Sequence, residues 1–326
     1  MRRREVIRVF GGMAACWPLM ASVQGQEPGR IYRLAGLFPS PREAPQNVAM
    51  FEELARSGFI EGQNLAIDWR TYGQHVELVA GFAVELVKAR ADIIVAGGDI
   101  GILAAQQATK TIPIVGFTDD MLRAHMVTSL AHPVGNTTGV SLLATELDGK
   151  RQDILIEALP GIHHMAALAD TVTTSPQQLQ KLQDAARTRG VELSLHRVAR
   201  PEEIAPAVDA ARAANAAALN VLASPVLFAN RQVIIARTAT LRLPAIYQWP
   251  EVAEEGGLIG YGPRIVQLFR DTLTRQIVKV LRGTKPVDLP IEQPSKFELV
   301  INLQTAKAMG YEVPAGLVLR ADKVIE

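Results

Sequence analysis

Six short segments of the chain combine small hydroxyl residues, glycines, carboxylates and aromatic rings. Each follows directly after a run of apolar residues, and they occupy 38–40, 97–99, 118–120, 170–174, 223–224 and 247–249. Such groups suit direct hydrogen bonding of a polar solute between apolar or stacking walls. The residues expected to contact that solute are Phe38, Ser40, Gly98, Asp99, Thr118, Asp120, Asp170, Thr171, Ser224 and Tyr247.

Several of these residues also have a purely local interpretation. Asp99 and Ser224 stand where a helix N-cap is expected. The aspartates at 119–120 suit a solvated turn, and the glycines at 97–98 suit a turn with positive φ. Trp249 precedes a proline and would then only cover a hinge. The sequence leaves both interpretations open.

Signals for catalysis are missing from the sequence. It contains no GxxxxGK[ST], GxGxxG, GxSxG or HExxH motif. Adjacent His163 and His164 would point to opposite faces of a strand, which does not favour a metal site. We therefore expect a protein that is not an enzyme and needs no cofactor or metal. The remaining catalytic alternative is an exported enzyme that uses an aspartate such as Asp120.

The elements that would position the six segments alternate between apolar runs and amphipathic helices. Runs such as 92–96 and 112–117 are apolar at consecutive positions, as strands buried on both faces are. Repeated strand–helix–strand units predict parallel strands, and such sheets bind ligands outside the carboxyl ends of their strands. Five strand runs in each half predict an α/β protein with two similar lobes. We place the first crossing between them near 143–148, as a short hinge.

Helix boundaries are marked in several places. Helices are expected at 47–57, 77–90 and 263–282, the last of which ends before Gly283. Ser175, followed by a proline and by Gln178, predicts a capping box at the start of another helix.

Residues 1–25 differ in composition from the remainder. Four arginines within the first eight residues precede an uncharged apolar stretch and then small residues up to Gly25. This order is typical of a secretory signal, and the apolar stretch is shorter than the roughly 20 residues that span a bilayer. We expect cleavage after Gly25 and export by the Tat or the Sec route. Lipidation is not expected at Cys16, because the apolar stretch continues past it.

The charge of the chain argues against a nucleic-acid partner. The formal net charge is +1 at pH 7. Because the leader holds four arginines and one glutamate, the remainder carries about −2. No basic footprint for a phosphate backbone is present, and a leader stands where a repressor would carry its helix-turn-helix.

The C-terminal part of the sequence is recognisable. The segment LPIEQPSKFELVINLQTAKAMG at 289–310 and the ending LRADKVIE at 319–326 closely resemble the tryptophan/tyrosine-type family of ABC-transporter substrate-binding proteins. The resemblance covers nearly the whole chain, with further matches at 58–65, 112–115, 135–140 and 243–247. It implies the type 1 periplasmic-binding-protein fold, in which two Rossmann-like lobes are joined by three crossings around a hinged cleft.

The resemblance also implies an organisation and a role. It implies a signal peptide at 1–25, a first lobe at 28–145 plus about 257–285, and a second lobe at 146–256 plus about 286–326. The expected role is that of the exported solute-binding component of an ABC importer. It would capture a small polar or amino-acid-like solute by hinge closure, as a periplasmic monomer, and deliver it to an inner-membrane permease. A sensor that presents the same clamp to a membrane receptor is the alternative.

The chain departs from the family pattern at the expected site. Many members have Gly-Thr-Pro after the third strand, Asp-Pro after the fourth and an Asn-Pro type of loop in the second lobe. This chain has instead Asp99 after Gly98, Asp120 before a methionine, and Asp170 followed by Thr171. The three carboxylates would favour a ligand with a cationic or hydroxyl-rich end through Coulomb attraction.

Overall fold

The computed structural model describes residues 29–73 and 75–326. The predicted signal peptide and Cys16 lie outside these residues. The chain forms two α/β lobes, each built around one sheet. The first lobe begins with eight helices and strands: β1 (Tyr32–Phe38), α1 (Pro45–Arg56), β2 (Leu65–Thr71), α2 (Val79–Lys88), β3 (Ile93–Gly97), α3 (Gly98–Ala108), β4 (Ile114–Thr118) and β5 (Thr137–Ser141). A 3-10 turn at Val76–Leu78 precedes α2.

The first sheet has five strands in the order β2-β1-β3-β4-β5, and all of its pairs are parallel. Every residue of β3, β4 and β5 is buried, because helices cover both faces of the sheet. This explains why β3 and most of β4 are apolar at consecutive positions, whereas β5 buries three hydroxyl side chains. The prediction of a parallel α/β lobe is confirmed.

The second lobe holds a sheet of seven strands. Its elements are α4 (Asp148–Ala158), β6 (His164–Asp170), α5 (Pro176–Thr188), β7 (Glu192–Val198), α6 (Ile204–Ala213), β8 (Leu219–Val221), α7 (Pro225–Ala229), α8 (Arg231–Thr240), β9 (Ala245–Tyr247), α9 (Pro250–Glu254) and β10 (Ile259–Gly262). After a return to the first lobe by α10 (Ile265–Gln267) and α11 (Thr274–Leu281), the chain adds β11 (Glu298–Asn302), α12 (Leu303–Ala308), α13 (Ala315–Val318) and β12 (Lys323–Ile325). The strand order is β12-β11-β10-β9-β8-β6-β7.

The predicted lobe boundaries need correction at two places. Strand β10 was expected in the first lobe, but it pairs with β9 and β11 in the second sheet. The chain at 286–292 was expected in the second lobe, but it lies along β5. There the Glu292 nitrogen donates to the Gly139 carbonyl oxygen at 2.9 Å, and the Ser141 nitrogen donates to the Glu292 carbonyl oxygen at 2.8 Å. The pairing between strands assigns both segments to their lobes. Local sequence patterns do not indicate which strands pair.

The helix expected at 263–282 is interrupted. It consists of α10, a π-helical segment at Leu268–Leu273, and α11. Its first and middle parts pack against α1 of the first lobe, where Phe269 lies against Phe38 and Phe117. The chain therefore crosses between the lobes three times, at 142–147, at 263–264 and at 293–297.

Among the residues that the model describes, no helix combines the length and the apolar character needed to cross a bilayer.

Candidate functional site

The carboxyl ends of the two sheets meet at the first crossing. Asp119, which follows β4, accepts a hydrogen bond from the Thr145 nitrogen at 3.0 Å. Gln178, in the first turn of α5, donates to the Thr145 carbonyl oxygen at 3.2 Å and to Asp148 Oδ2 at 2.6 Å. The loop after β8 joins them, because the Ala223 nitrogen donates to Asp148 Oδ1 at 3.1 Å. The loops predicted to bind a solute therefore stand around one junction between the lobes.

Asp99 and Thr118 form the polar pair of the first lobe. The Thr118 hydroxyl donates to Asp99 Oδ1 across the ends of β3 and β4. Surrounding atoms strip part of the hydration from this carboxylate and raise the pKa of Asp99. The bond from Thr118 opposes that rise, while the charges of Asp119 and Asp120 add to it. Gly97, not Asp99, occupies the N-cap position of α3, so the capping interpretation of Asp99 is wrong.

Asp120 has a local structural role. Its Oδ1 accepts hydrogen bonds from the nitrogens of Leu122 and Arg123, both at 3.0 Å. This pattern fixes the turn after β4. Oδ2 has no protein donor among these bonds, so Asp120, like Asp99, keeps one oxygen for a ligand.

Asp170 of the second lobe is not available to a solute. It is 1% exposed. Its Oδ1 accepts from the Val172 nitrogen at 2.8 Å, and its Oδ2 accepts from the hydroxyls of Thr173 at 3.0 Å and Ser224 at 2.8 Å. These donors hold the loops after β6 and β8 together. Internal donors use both oxygens in this structure, so it gives no support to the ligand contact expected at Asp170.

The Ser224 hydroxyl is likewise engaged in hydrogen bonds within the protein. Its hydroxyl caps α7 by accepting from the nitrogens of Val226 at 3.1 Å and Leu227 at 3.3 Å. Gln248, whose role the sequence did not indicate, binds the backbone of Ser224 through both atoms of its amide group. Thr171 lies beside this network with an exposed side chain. Of the second-lobe residues predicted to contact a solute, Thr171 alone is exposed.

The two aromatic walls predicted at Phe38 and Tyr247 are core residues. Phe38 is 2% exposed and stacks on Trp69, with ring centroids 4.8 Å apart and an interplanar angle of 13°. Tyr247 is 2% exposed, and its hydroxyl lies 3.1 Å from Thr238 Oγ1. Burial raises the pKa of Tyr247. Both rings are large apolar groups at strand ends, and the sequence does not tell which way such a ring points.

Ser40 and Gly98 lie at partly exposed positions of the first lobe. Ser40 Oγ accepts from Asn47 Nδ2 at 3.1 Å. Gly98 has a φ of +72°, and a Cβ there would lie 3.1 Å from the Tyr72 hydroxyl oxygen, which donates to the Gly97 carbonyl oxygen at 2.8 Å. The expected positive φ is confirmed at Gly98, whereas Gly97 has a φ of −106°. Tyr72 was not identified from the sequence because it lies just beyond an edge strand with no neighbouring polar motif.

A metal site finds no support in the part of the chain that the structure describes. No group of three or more His, Cys, Asp or Glu side chains there has the geometry to hold an ion. The arrangement is suited to hydrogen bonding and to attraction of a cationic group.

Several known proteins are similar to this chain over most of its length. A tyrosine-binding protein of Clostridioides difficile (strain R20291) is 24% identical over 261 residues, which span 78% of this chain and 74% of that protein. A crystal structure of an ABC domain from Streptococcus pneumoniae in complex with L-Trp superposes with a TM-score of 0.79 at 23% identity, over 90% of this chain and 100% of that one. A conserved domain protein from Vibrio cholerae gives a TM-score of 0.80 at 21% identity, over 90% and 99%.

These structures share the type 1 periplasmic-binding-protein fold with the two lobes described above. Residues 46–325 match the model of the family described as ABC transporter substrate binding protein. The chain therefore belongs to the ABC transporter substrate-binding protein family.

Proposed function

We propose that the chain captures an amino-acid-like solute between its lobes and presents it to the permease of an ABC importer. The observation that carries this proposal is the meeting of both sets of strand-end loops at one junction around Thr145. A solute bound there touches both lobes, so its binding energy favours the arrangement in which they close. No bond of the solute is made or broken.

The free acceptors of the site support a ligand with an ammonium group. Asp99 Oδ2 is not used by the Thr118 hydroxyl, and the residue is exposed at the end of β3. A cation at a carboxylate that is partly stripped of water gains more Coulomb energy than it would in bulk water. The tyrosine-binding and L-Trp-bound relatives both concern amino acids, which carry such a group. We therefore expect the solute to contact Asp99 and its neighbour Thr118, together with Ser40, Gly98 and Thr171.

The predicted leader at 1–25 supports export, and the chain would then act in the periplasm as a monomer. Fractionation of cells that express the full chain tests this part. We expect a periplasmic product shortened at the N-terminus. A full-length product in the cytoplasm would contradict export.

Thermal unfolding with a panel of solutes tests capture and its chemical class together. The panel contains amino acids, ureas, aromatic acids and sugars. A ligand that binds only the folded chain stabilises it by about 2.7 kcal/mol at a hundred times its Kd. We expect a larger increase in Tm with amino acids than with their analogues that lack the amine. An increase only with sugars or ureas would contradict the proposed ligand class.

A further inference from the structure

Three residues of the first crossing form hydrogen bonds with the first lobe: Leu142, Leu143 and Thr145. The Leu142 nitrogen donates to the Thr118 carbonyl oxygen at 2.9 Å, and the Leu143 nitrogen donates to the Asp119 carbonyl oxygen at 2.8 Å. The Asp119 carboxylate then accepts twice from Thr145, from its nitrogen at 3.0 Å and from its hydroxyl at 2.5 Å. The loop that contains Thr118 and Asp119 is thus attached directly to the hinge.

The same stretch is bonded to the second lobe from the other side. Arg151 Nη2 donates to the Ala144 carbonyl oxygen at 2.5 Å, and Gln178 Nε2 donates to the Thr145 carbonyl oxygen at 3.2 Å. The peptide unit between Ala144 and Thr145 therefore has its oxygen held by the second lobe and its nitrogen held by the first. A rotation of one lobe relative to the other must act on this unit.

Leu143 shows that the backbone is strained at this place. Its φ is +49°, which is unfavourable for a leucine. Four other described non-glycine residues have a positive φ, and each closes a helix end or a turn: Arg90, His125, Asn215 and Arg242. Leu143 follows a strand instead, and the bond to Asp119 lies at the strained residue itself. Such a conformation persists only where neighbouring contacts hold it.

We propose that Asp119 is a positioning residue that couples solute capture on the first lobe to the angle between the lobes. It does so through its bonds to Leu143 and Thr145, and it need not touch the solute. A solute held by Asp99 and Thr118 stiffens the loop of Asp119, and the two bonds to Thr145 carry that change into the hinge. This inference rests on the proposed function for the identity of the solute.

Distances between spin labels on the two lobes test the coupling. Cys16 is the only cysteine, so a full chain with Cys16→Ser accepts labels at two introduced cysteines, Lys88→Cys on α2 and Lys181→Cys on α5. Double electron–electron resonance then measures the distribution of distances without and with L-tryptophan. Asp119→Ala removes both acceptors, and Asp119→Asn keeps one of them.

Thr145→Val gives a nearly isosteric change that removes only the hydroxyl bond. Its matched control is Thr305→Val, because the Thr305 hydroxyl donates to the Gly256 carbonyl oxygen at 3.0 Å within the second lobe. A hydrogen bond to a charged group that favours one arrangement changes the ratio of two populations about tenfold when it is lost. Thr145→Val therefore keeps the experiment decisive even if Asp119→Ala fails to fold.

We expect Asp119→Ala and Thr145→Val to add a second distance population to the unliganded chain and to reduce the change caused by L-tryptophan. Asp119→Asn should be intermediate, and Thr305→Val should match the parent. Parental distributions in both Asp119→Ala and Thr145→Val would overturn the proposal. If the parent itself does not respond to L-tryptophan, the proposed ligand fails for that amino acid, while the unliganded distributions still decide the role of Asp119.

Discussion

Arg151 Nη2 lies 2.6 Å from Asp148 Oδ1, and the two side chains are 0% and 1% exposed. Arg151 also donates to the carbonyl oxygens of Ala144, within the first crossing, and of Tyr261, in the strand β10 that precedes the second crossing. The pair therefore joins two of the three connections between the lobes. A buried ion pair stabilises the folded protein little more than an apolar pair of the same shape does. Removal of only one of its two partners is strongly destabilising, because the other charge stays buried without compensation.

Removal of the arginine alone should destabilise the chain strongly. Arg151→Met leaves the Asp148 carboxylate buried without its cation, and we expect a loss of about 3–5 kcal/mol in the free energy of unfolding. Urea denaturation measures it. The control is Arg189→Met, which breaks an exposed pair with Asp153 at 3.2 Å and should cost less than about 1 kcal/mol. Equal losses in the two variants would contradict a structural role of the buried pair.

Replacement of Asp99 should separate affinity from stability. Asp99→Asn removes the charge that attracts an ammonium group but keeps an oxygen for the Thr118 hydroxyl. We expect the affinity for L-tryptophan to fall about tenfold or more, with little change for indole-3-propionate, which lacks the amine. Isothermal titration calorimetry of both ligands on both chains provides the comparison. A parallel loss for the two ligands would argue against contact between Asp99 and the amine.

The same variant should unfold at a higher temperature. Because the pKa of Asp99 is raised in the folded chain, the folded form binds a proton more readily than the unfolded form does. The contribution of this residue to stability is therefore greatest at low pH and falls as the pH rises toward the raised pKa. We expect Asp99→Asn to raise the Tm at pH 7 and to leave it close to the parental value at pH 4. A lower Tm at pH 7 would indicate that the carboxylate is stabilised by its surroundings.

The pH dependence of binding follows from the same shift. A protonated Asp99 no longer attracts an ammonium group, which stays charged throughout the acidic range. Affinity of the parent for L-tryptophan should decrease as the pH falls through the raised pKa of Asp99, above the range in which an ordinary aspartate titrates. Kd values measured from pH 8 to pH 4 in the parent and in Asp99→Asn provide the test. The variant should show a flatter profile, and identical profiles would exclude Asp99 as the titrating group.

Gly139 in β5 should not tolerate a side chain. Its φ is +142°, and a Cβ there would lie 2.0 Å from the carbonyl oxygen of Gly116 in the neighbouring strand. We expect Gly139→Ala to separate β4 from β5 and to yield little folded protein. Gly149→Ala in α4, where a Cβ would meet nothing within 4 Å, is the control and should be neutral or stabilising by up to about 1 kcal/mol. Soluble yield and Tm are the readouts, and a normal Tm for Gly139→Ala would contradict this packing.

The parallel sheet of the first lobe was predictable because burial on both faces produces a recognisable pattern in the sequence. Every residue of β3 and β4 is buried, so both strands are apolar at consecutive positions. The order of the strands within a sheet produces no such pattern in the sequence. β10 follows β9 along the chain and pairs with it, but its pairing with β11 depends on a partner almost forty residues later. That partner lies beyond the return to the first lobe.

The site was predictable by position but not by the state of each side chain. Asp99 and Asp170 both follow strands, and only the fold shows that Asp170 is enclosed by three donors while Asp99 has one. Ser175 accepts from the Gln178 nitrogen at 3.2 Å, as expected for a cap. The expected return bond from the Gln178 side chain is absent, because that amide reaches Thr145 and Asp148 in the hinge instead. Long-range partners of this kind are not encoded in local spacing.

Direct titration of the purified chain with L-tryptophan and L-tyrosine tests whether the lobes capture an amino-acid-like solute. We expect one binding site per chain, with a Kd in the micromolar range or below for at least one amino acid, and an affinity about tenfold or more lower in Asp99→Asn. Absence of heat and of any Tm increase with all of the common amino acids, for a chain that unfolds cooperatively, would contradict this expectation.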